Sequence, residues 1–180
     1  MRIQVDSDIA LRSVEPSDAE ALFGVVDANR AHLEPWLPWV EHTCTPADTL
    51  EFIEKSIEQE TQKTGLAAII ESDAEILGVL GLNTIDLGNQ TSEIGYWIRA
   101  DLEGRGIMTR SVASIVDYAF GTLGLNRLGI RAEPENQRSR AIAERLGFHE
   151  EGVLREIENY NGRFVDLVSY SLLRREHTAS

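Results

Sequence analysis

The residues best suited to do chemistry stand in one run, Ala100-Asp-Leu-Glu-Gly-Arg-Gly-Ile-Met-Thr-Arg110. Residues 91–99 before it (TSEIGYWIR) are rich in β-branched and aromatic side chains and read as a strand. After it, Met108, Val112, Ile115, Val116, Ala119, Phe120 and Leu123 recur at helical spacing, so a helix follows with one buried face. Gly104 and Gly106 let the backbone of the intervening turn approach a ligand and present a row of N–H groups. The helix adds the positive end of its dipole at the same point, which makes an anion site. Arg105 and Arg110 contribute full positive charges beside it. The run predicts a ligand that carries phosphate.

Two common phosphate motifs are excluded. No Gly-x4-Gly-Lys-Ser/Thr occurs in the chain, so there is no P-loop. A dinucleotide fingerprint needs a small residue at 109, where Thr109 stands, and an acidic ribose-binding residue about 20 positions on, which is not evident. The run Glu103-Gly-Arg-Gly-Ile-Met108 instead resembles the Gln/Arg-x-x-Gly-x-Gly/Ala pattern with which the GNAT superfamily of acyl-CoA N-acetyltransferases holds the diphosphate of coenzyme A. It departs from that pattern at Glu103 and at Met108. The form Gly-Arg-Gly-Ile-Met-Thr is similar to the RimJ/RimL branch, which acetylates the N-termini of ribosomal proteins. Further resemblances are Pro35-Trp-Leu-Pro-Trp39, Asn136-Gln-Arg-Ser139, Leu146-Gly-Phe148 and Glu158-Asn-Tyr-Asn-Gly162. Together they cover residues 9–174.

The resemblance implies an acetyl-CoA-dependent transferase acting on a primary amine, most directly the α-amine of a protein N-terminus. It implies that Gly104, Arg105, Gly106, Ile107, Met108 and Thr109 hold the diphosphate. It implies too that the main chain of strand 91–99, at Trp97, Ile98 and Arg99, takes the pantetheine arm and thioester beside a bulge. The residues alone equally allow an ordinary central strand there.

Acetyl transfer to an amine needs a base for the ammonium proton, a donor for the developing oxyanion, and a group that tolerates the leaving thiolate. An α-amine has a pKa near 8, so its deprotonation at pH 7 costs only about 1 kcal/mol and a carboxylate suffices, directly or through a water. Among 30 acidic residues, Glu158 is set apart by its likeness to the catalytic glutamate segment of RimL-like proteins, and Glu93 by its place on strand 91–99. Ser139 or Tyr160 could serve the thiolate. Asn136 and Ser139, three apart on one helical turn, either face the cofactor or simply cap their helix. Trp36 and Trp39 lie in a segment that two prolines keep irregular. That segment either packs on the core or walls the acceptor cleft. A small-molecule acetyltransferase acting on a polyamine, aminoglycoside or amino acid would keep the same cofactor residues, and a non-catalytic coenzyme A sensor would need neither Glu158 nor Ser139.

The elements that position these groups alternate along the chain. Residues 9–13 form a strand, and Pro16 opens a helix with Ala19, Leu22, Phe23, Val26 and Leu33 on its buried face. Thr45-Pro-Ala-Asp48 caps a second helix that runs to about Lys63. Strands 66–71 and 75–82 are joined by a tight turn, and a turn at 88–90 leads into strand 91–99. Strand 127–132 follows the central helix and so runs parallel to strand 91–99. A helix capped at Asn136 stops at Gly147. Strands 152–156 and 164–173 close the chain as a hairpin around Asn161-Gly162. This is one α/β (α+β) domain over 1–180, and the GNAT resemblance implies a mixed, mostly antiparallel sheet of about seven strands, splayed between the fourth and fifth, with about four helices.

Composition sets the surroundings. The 180 residues are 42% hydrophobic and 26% charged, ordinary for one soluble domain. No apolar run is long enough to span a membrane and no signal-peptide block opens the chain. The single cysteine, Cys44, fits a reducing cytoplasm. His32, His42, His149 and His177 show no metal-ligand spacing, so no metal is assigned. The net charge of −13 disfavours nucleic acid and favours a cationic acceptor. A monomer, a homodimer and a higher homo-oligomer are all compatible with it.

Overall fold

In a computed structural model describing residues 1–177, one eight-stranded sheet carries five α-helices. The strands are β1 (Arg2–Gln4), β2 (Ala10–Ser13), β3 (Leu66–Ser72), β4 (Glu75–Asp86), β5 (Thr91–Ile98), β6 (Arg127–Ala132), β7 (His149–Tyr160) and β8 (Arg163–Leu173). The helices are α1 (Ala19–Ala28), α2 (Arg30–Leu33), α3 (Pro46–Gln62), α4 (Ile107–Gly121) and α5 (Gln137–Arg145). Sheet order is β1-β2-β3-β4-β5-β6-β8-β7, and only β5–β6 is parallel.

The eighth strand is β1, three residues too short to show a periodicity of their own. It pairs Arg2, Ile3 and Gln4 with Arg12, Leu11 and Ala10. The fifth helix is the single turn α2, because the helix expected to run on to Leu33 breaks at Asn29, whose side chain donates back to the Val25 carbonyl at 2.8 Å. The tail residues 178–180 lie outside the described residues.

Both faces of the sheet are covered, which explains the unbroken apolar run in β3. Leu66, Ala68 and Ile70 face α4 and α5 together with Leu80, Ile94, Val112, Ile115 and Leu128, whereas Ala67 and Ile69 face α1 and α3 with Leu22 and Ile53. The cap of α3 is as the residues predict: Thr45 Oγ1 accepts from Asp48 N–H, and Asp48 accepts from Thr45 N–H at 2.8 Å. The β3–β4 turn places two non-glycine residues, Asp73 and Ala74, at φ of 47° and 65°. The final turn places Asn161 and Gly162 at 51° and 95°.

Two strands outrun their expected ends. β4 continues to Asp86 past a bulge in which Thr84 has φ of 50°. β7 starts at His149 and reaches Tyr160, with its register against β8 broken between Leu154 and Glu158. Glu158 and Tyr160 therefore lie on a strand, two residues apart on one face, rather than in the turn.

The feature that positions the site is the failure of β5 and β6 to stay together. They pair only at Thr91–Arg127, Ser92–Leu128 and Glu93–Gly129. Beyond those pairs β5 keeps β4 as its partner and β6 keeps β8, so a wedge opens between them. The expected splay is there, but β5 itself keeps unbroken register with β4 from Glu93 to Ile98. The bulge sits next door, on β4.

Candidate active site

The wedge determines which main-chain donors of β5 are free. Arg99 N–H donates to the Leu77 carbonyl at 2.9 Å. Antiparallel pairing alternates, so Trp97 and Gly95 also spend their N–H groups on β4, while Tyr96 and Ile98 turn theirs toward the wedge. A side-chain carbon built on Gly78 of β4 would meet the Trp97 carbonyl oxygen at 2.2 Å, in keeping with that direction. Of the three expected main-chain positions, Ile98 has the free amide. Arg99 is also occupied through its side chain, bonded to Asp101 at 2.9 and 3.0 Å and to Glu75 at 3.3 Å.

At the wide end of the wedge stands the glycine turn. Gly104 and Gly106 have φ of 73° and 72°, a conformation natural to glycine, and Gly106 is the N-cap of α4. The first-turn N–H groups of α4 have no partner within the helix. Thr109 Oγ1 accepts from Arg145 at 3.2 Å, Arg110 bridges to Asp6 at 2.8 Å, and Arg105 is exposed. Met108, one of the two departures from the pattern, turns its side chain into the core, 6% exposed, so it leaves the backbone cradle clear. A carbon added at Gly104 would meet nothing within 4 Å. A glycine-lined helix N-terminus with Arg105, Arg110, Arg138 and Arg145 around it fits a diphosphate. These residues would hold the cofactor, which supplies an activated acetyl thioester when bound.

Two hollows meet under this turn. The first, about 460 Å³, is the cradle itself, from Leu102 to Arg110 with Ala141 and Arg145 of α5. The second, about 470 Å³, runs on through the wedge past Tyr96, Trp97 and Ser139 to Trp36, Glu133 and Tyr160. They share Ile98, Glu103, Met108, Arg138 and Ile142. Across this junction Arg138 pairs with Glu103, whose other oxygen lies 3.6 Å from His32 Nε2. Glu103 is the second departure from the pattern, and Arg138 is its counter-ion. Removing a carboxylate beside a diphosphate relieves roughly 1 kcal/mol of repulsion at surface dielectric, about fivefold in affinity. Glu103→Gln is therefore expected to tighten coenzyme A binding severalfold by calorimetry. Weaker binding would instead make Glu103 the residue that holds Arg138 in place.

The second hollow gathers two of the four sequence-predicted catalytic groups, Ser139 and Tyr160. Ser139 and Asn136 line it from the first turn of α5, where Asn136 Oδ1 also caps Ser139 N–H at 3.1 Å. Asn136 thus caps its helix and lines the hollow at the same time. Tyr160 lines it from β7. Burial first, then the carboxylates of Glu158 and Glu133, push the Tyr160 hydroxyl up to about 12, so it is a neutral donor at physiological pH. Glu158 is exposed on the same strand face, beside Tyr160, and does not itself line either hollow. Glu93 is not brought in: Arg131 takes its carboxylate at 2.6 Å, and it is absent from the walls of both hollows.

The tryptophans separate. Trp36 lines the second hollow, whereas Trp39 packs on Trp97 with 6.3 Å between ring centroids. Their loop is tied to the β7–β8 hairpin, Asn161 donating to the Pro38 carbonyl at 3.2 Å and Arg163 to that of Pro35 at 3.4 Å. Together they roof the outer end.

Several lining groups escaped the sequence reading. Tyr96 bonds to Ser139, and Glu133 is 6% exposed and held by both Nη atoms of Arg163 at 2.8 and 3.0 Å. The signal that could have found Tyr96 is its period-2 alternation with Ile94 and Ile98, which puts it on the α4/α5 face of β5. Glu133 carries no such signal, because its partner is 30 residues away. Among the described residues, no group of three or more His, Cys, Asp or Glu side chains is placed to hold a metal ion.

Comparison with known proteins places this geometry. The chain is 39% identical over 175 residues to a putative ribosomal N-acetyltransferase, YdaF, of Bacillus subtilis, covering 96% of this chain and 95% of that one. Its structure superposes on RimL, a ribosomal L7/L12 α-N-protein acetyltransferase in complex with coenzyme A, with a TM-score of 0.94 and 27% identity over 98% of this chain and all (100%) of that one. It is equally close to the microcin C7 self-immunity acetyltransferase MccE in complex with acetyl-CoA and AMP, with a TM-score of 0.91 and 31% identity over 95% of each chain. With a glycine turn at the head of α4, a wedge between β5 and β6, and residues 8–149 matching the family described as Acetyltransferase (GNAT) domain, the chain belongs to the GNAT acetyltransferases and uses acetyl-CoA.

Proposed function

We propose that this acetyltransferase acts on the α-amine of a protein or peptide N-terminus, a ribosomal protein being the class its relatives point to. The observation that carries this reading is the second hollow: it runs from the wedge past Tyr96 and Ser139 to Trp36, Glu133 and Tyr160, beneath the Trp36 loop and the β7–β8 hairpin, and leaves room beside the cofactor cradle for an acceptor. Of the carboxylates along it, Glu133 and Glu103 are paired with Arg163 and Arg138, and Glu135, with no ion pair among the described residues, suits an acceptor that arrives as an ammonium. The likeness to YdaF and RimL supports a protein acceptor, and the likeness to MccE keeps a small nucleotide-bearing acceptor as the competitor.

In this reading Glu158, exposed beside Tyr160 on β7, accepts the ammonium proton, directly or through a water. The Ile98 amide, and that of Tyr96, are the donors available where negative charge develops on the acyl oxygen. Ser139 offers its hydroxyl to the sulfur, with Tyr160 as the other candidate. A cytoplasmic location belongs to the same proposal and is supported by the lone, unpaired Cys44; no helix among the described residues is long and apolar enough to cross a membrane.

The deciding experiment is a panel of acceptors with acetyl-CoA read by mass spectrometry: peptides with ribosomal-protein N-termini, spermidine, an aminoglycoside and an aminoacyl nucleotide analogue. Peptides should turn over fastest; faster turnover of any small amine would replace the proposal by the competitor. Trp36→Ala should raise the peptide KM roughly tenfold, the effect of one well-packed aromatic contact. Trp39→Ala should lower the melting temperature while leaving that KM near wild type, because its ring packs on Trp97. The opposite pattern would make Trp36 structural.

A further inference from the structure

We propose that Tyr96 is a positioning residue for acetyl transfer, its hydroxyl holding Ser139 at two atoms and so fixing where the Ser139 hydroxyl stands when it turns to the sulfur of acetyl-CoA. The proposal rests on the reading of Ser139 as the group at the sulfur.

Tyr96 stands on the part of β5 that has left β6, and its ring packs under α5 with Ile142 and Leu146. Its hydroxyl lies 3.1 Å from the Ser139 carbonyl oxygen and 3.1 Å from Ser139 Oγ. It donates to the first and accepts from the second. A phenylalanine would fill the same volume. A buried tyrosine hydroxyl needs partners, and here both partners belong to one residue. A serine in the first turn of a helix ordinarily spends its side chain on capping, yet the Ser139 amide is already capped by Asn136. The Ser139 hydroxyl is thereby released from structural duty and held by Tyr96 alone among the described residues. Burial pushes the Tyr96 hydroxyl up to about 12, so it remains an O–H donor throughout the working pH range.

In the transfer the ammonium gives one proton to Glu158, a C–N bond forms, the C–S bond breaks with the sulfur keeping the electron pair, and the second proton of the acylated nitrogen passes to water. Ser139 turns its O–H from Tyr96 to the sulfur as a hydrogen bond and keeps its proton. Tyr96 stays on the Ser139 carbonyl, so the first turn of α5 does not move as the hydroxyl turns. The charged groups bordering this stretch, Arg138 on α5, Glu103 ahead of α4 and Glu133 after β6, are unchanged by the substitutions below, and their field cancels in the comparison.

The test is a double-mutant cycle of Tyr96→Phe and Ser139→Ala with two readouts: the pKa of the thiol of bound coenzyme A, followed by thiolate absorbance, and kcat. Ser139→Ala should raise the thiol pKa by about one unit, the size of a modest charge-assisted hydrogen bond. Tyr96→Phe should raise it by about half that and lower kcat about 3–10-fold, with coenzyme A affinity changed less than twofold. In the Ser139→Ala background Tyr96→Phe should do nothing further to either readout. If it lowers kcat equally in both backgrounds, Tyr96 is a scaffold residue and the clamp is wrong. A silent Tyr96→Phe beside an effective Ser139→Ala overturns the clamp alone. A Ser139→Ala enzyme with unchanged thiol and kcat overturns the clamp together with the reading of Ser139 beneath it.

Discussion

Replacing Gly106 by valine should leave the protein folded and remove its measurable affinity for coenzyme A. Gly106 sits at φ of 72° as the N-cap of α4, where a residue with a side chain is strained by roughly 1–2 kcal/mol and a β-branched one by more. That is affordable against the about 5–15 kcal/mol by which domains of this kind are stable. The nearest atom to an added carbon is the Nη1 end of Arg110 at 3.1 Å, which can swing away. The N–H groups at the head of α4 cannot give way so easily. Relieving the strain rotates them away from the direction in which they would meet a phosphate. Losing two hydrogen bonds to a charged group, each about 1.5–3 kcal/mol, lowers affinity by at least about 100-fold. Calorimetry against coenzyme A, with melting temperature as the control, measures both halves of the expectation. A folded Gly106→Val protein with wild-type affinity would place the diphosphate elsewhere.

The second large effect is expected at Glu158. General base catalysis contributes about 10²–10⁴-fold, so Glu158→Gln should lower kcat for peptide acceptors by that order and leave coenzyme A affinity unchanged. The residue is exposed on the strand face it shares with Tyr160, as suits a base that works through water. An α-amine deprotonates by itself near pH 8. The variant should therefore recover rate as pH climbs toward that value, whereas the wild type should change little over the same interval. Wild-type kcat at pH 7 would remove Glu158 from the mechanism. Glu93 would then be tested, although Arg131 at 2.6 Å already occupies its carboxylate.

What was legible in the chain is what local backbone chemistry dictates. The glycine turn could be read because two left-handed positions ahead of a helix leave few residue types to choose from. The cap at Thr45, the Asn161-Gly162 turn and the buried stripe of α4 could be read for the same reason. Three things could not. β1 is stabilised only by its neighbour β2 and has no pattern of its own. The bulge falls on β4 at Thr84, because the register of a strand is a property of the pair. The acceptor hollow is assembled from α2, the Trp36 loop, the end of β6 and the tip of β7, segments that meet only after folding. Hence Glu133 and Tyr96 went unnoticed, and Trp36 could not be told from Trp39. Ser139 was found by its spacing from Asn136, but its tie to Tyr96 crosses 43 residues.

The wedge between β5 and β6 also bears on the solubility of the protein. A strand edge with unpaired N–H and C=O groups is an invitation to aggregation, and natural sheets hide such edges under charge, proline or a covering loop. Here two edges face one another in the interior, with the Glu93–Arg131 ion pair near their junction as a charged guard. Beyond that pair their protection is geometric. The two strands meet at Glu93–Gly129 and diverge from there, so they nowhere offer the constant spacing of about 4.8 Å that an invading strand needs on each side. Helices α4 and α5 on one face and α1 and α3 on the other close the flanks. A flexible, narrow ligand can thread such a gap where a second polypeptide cannot, and the sheet is thereby open to a small molecule yet closed to another sheet.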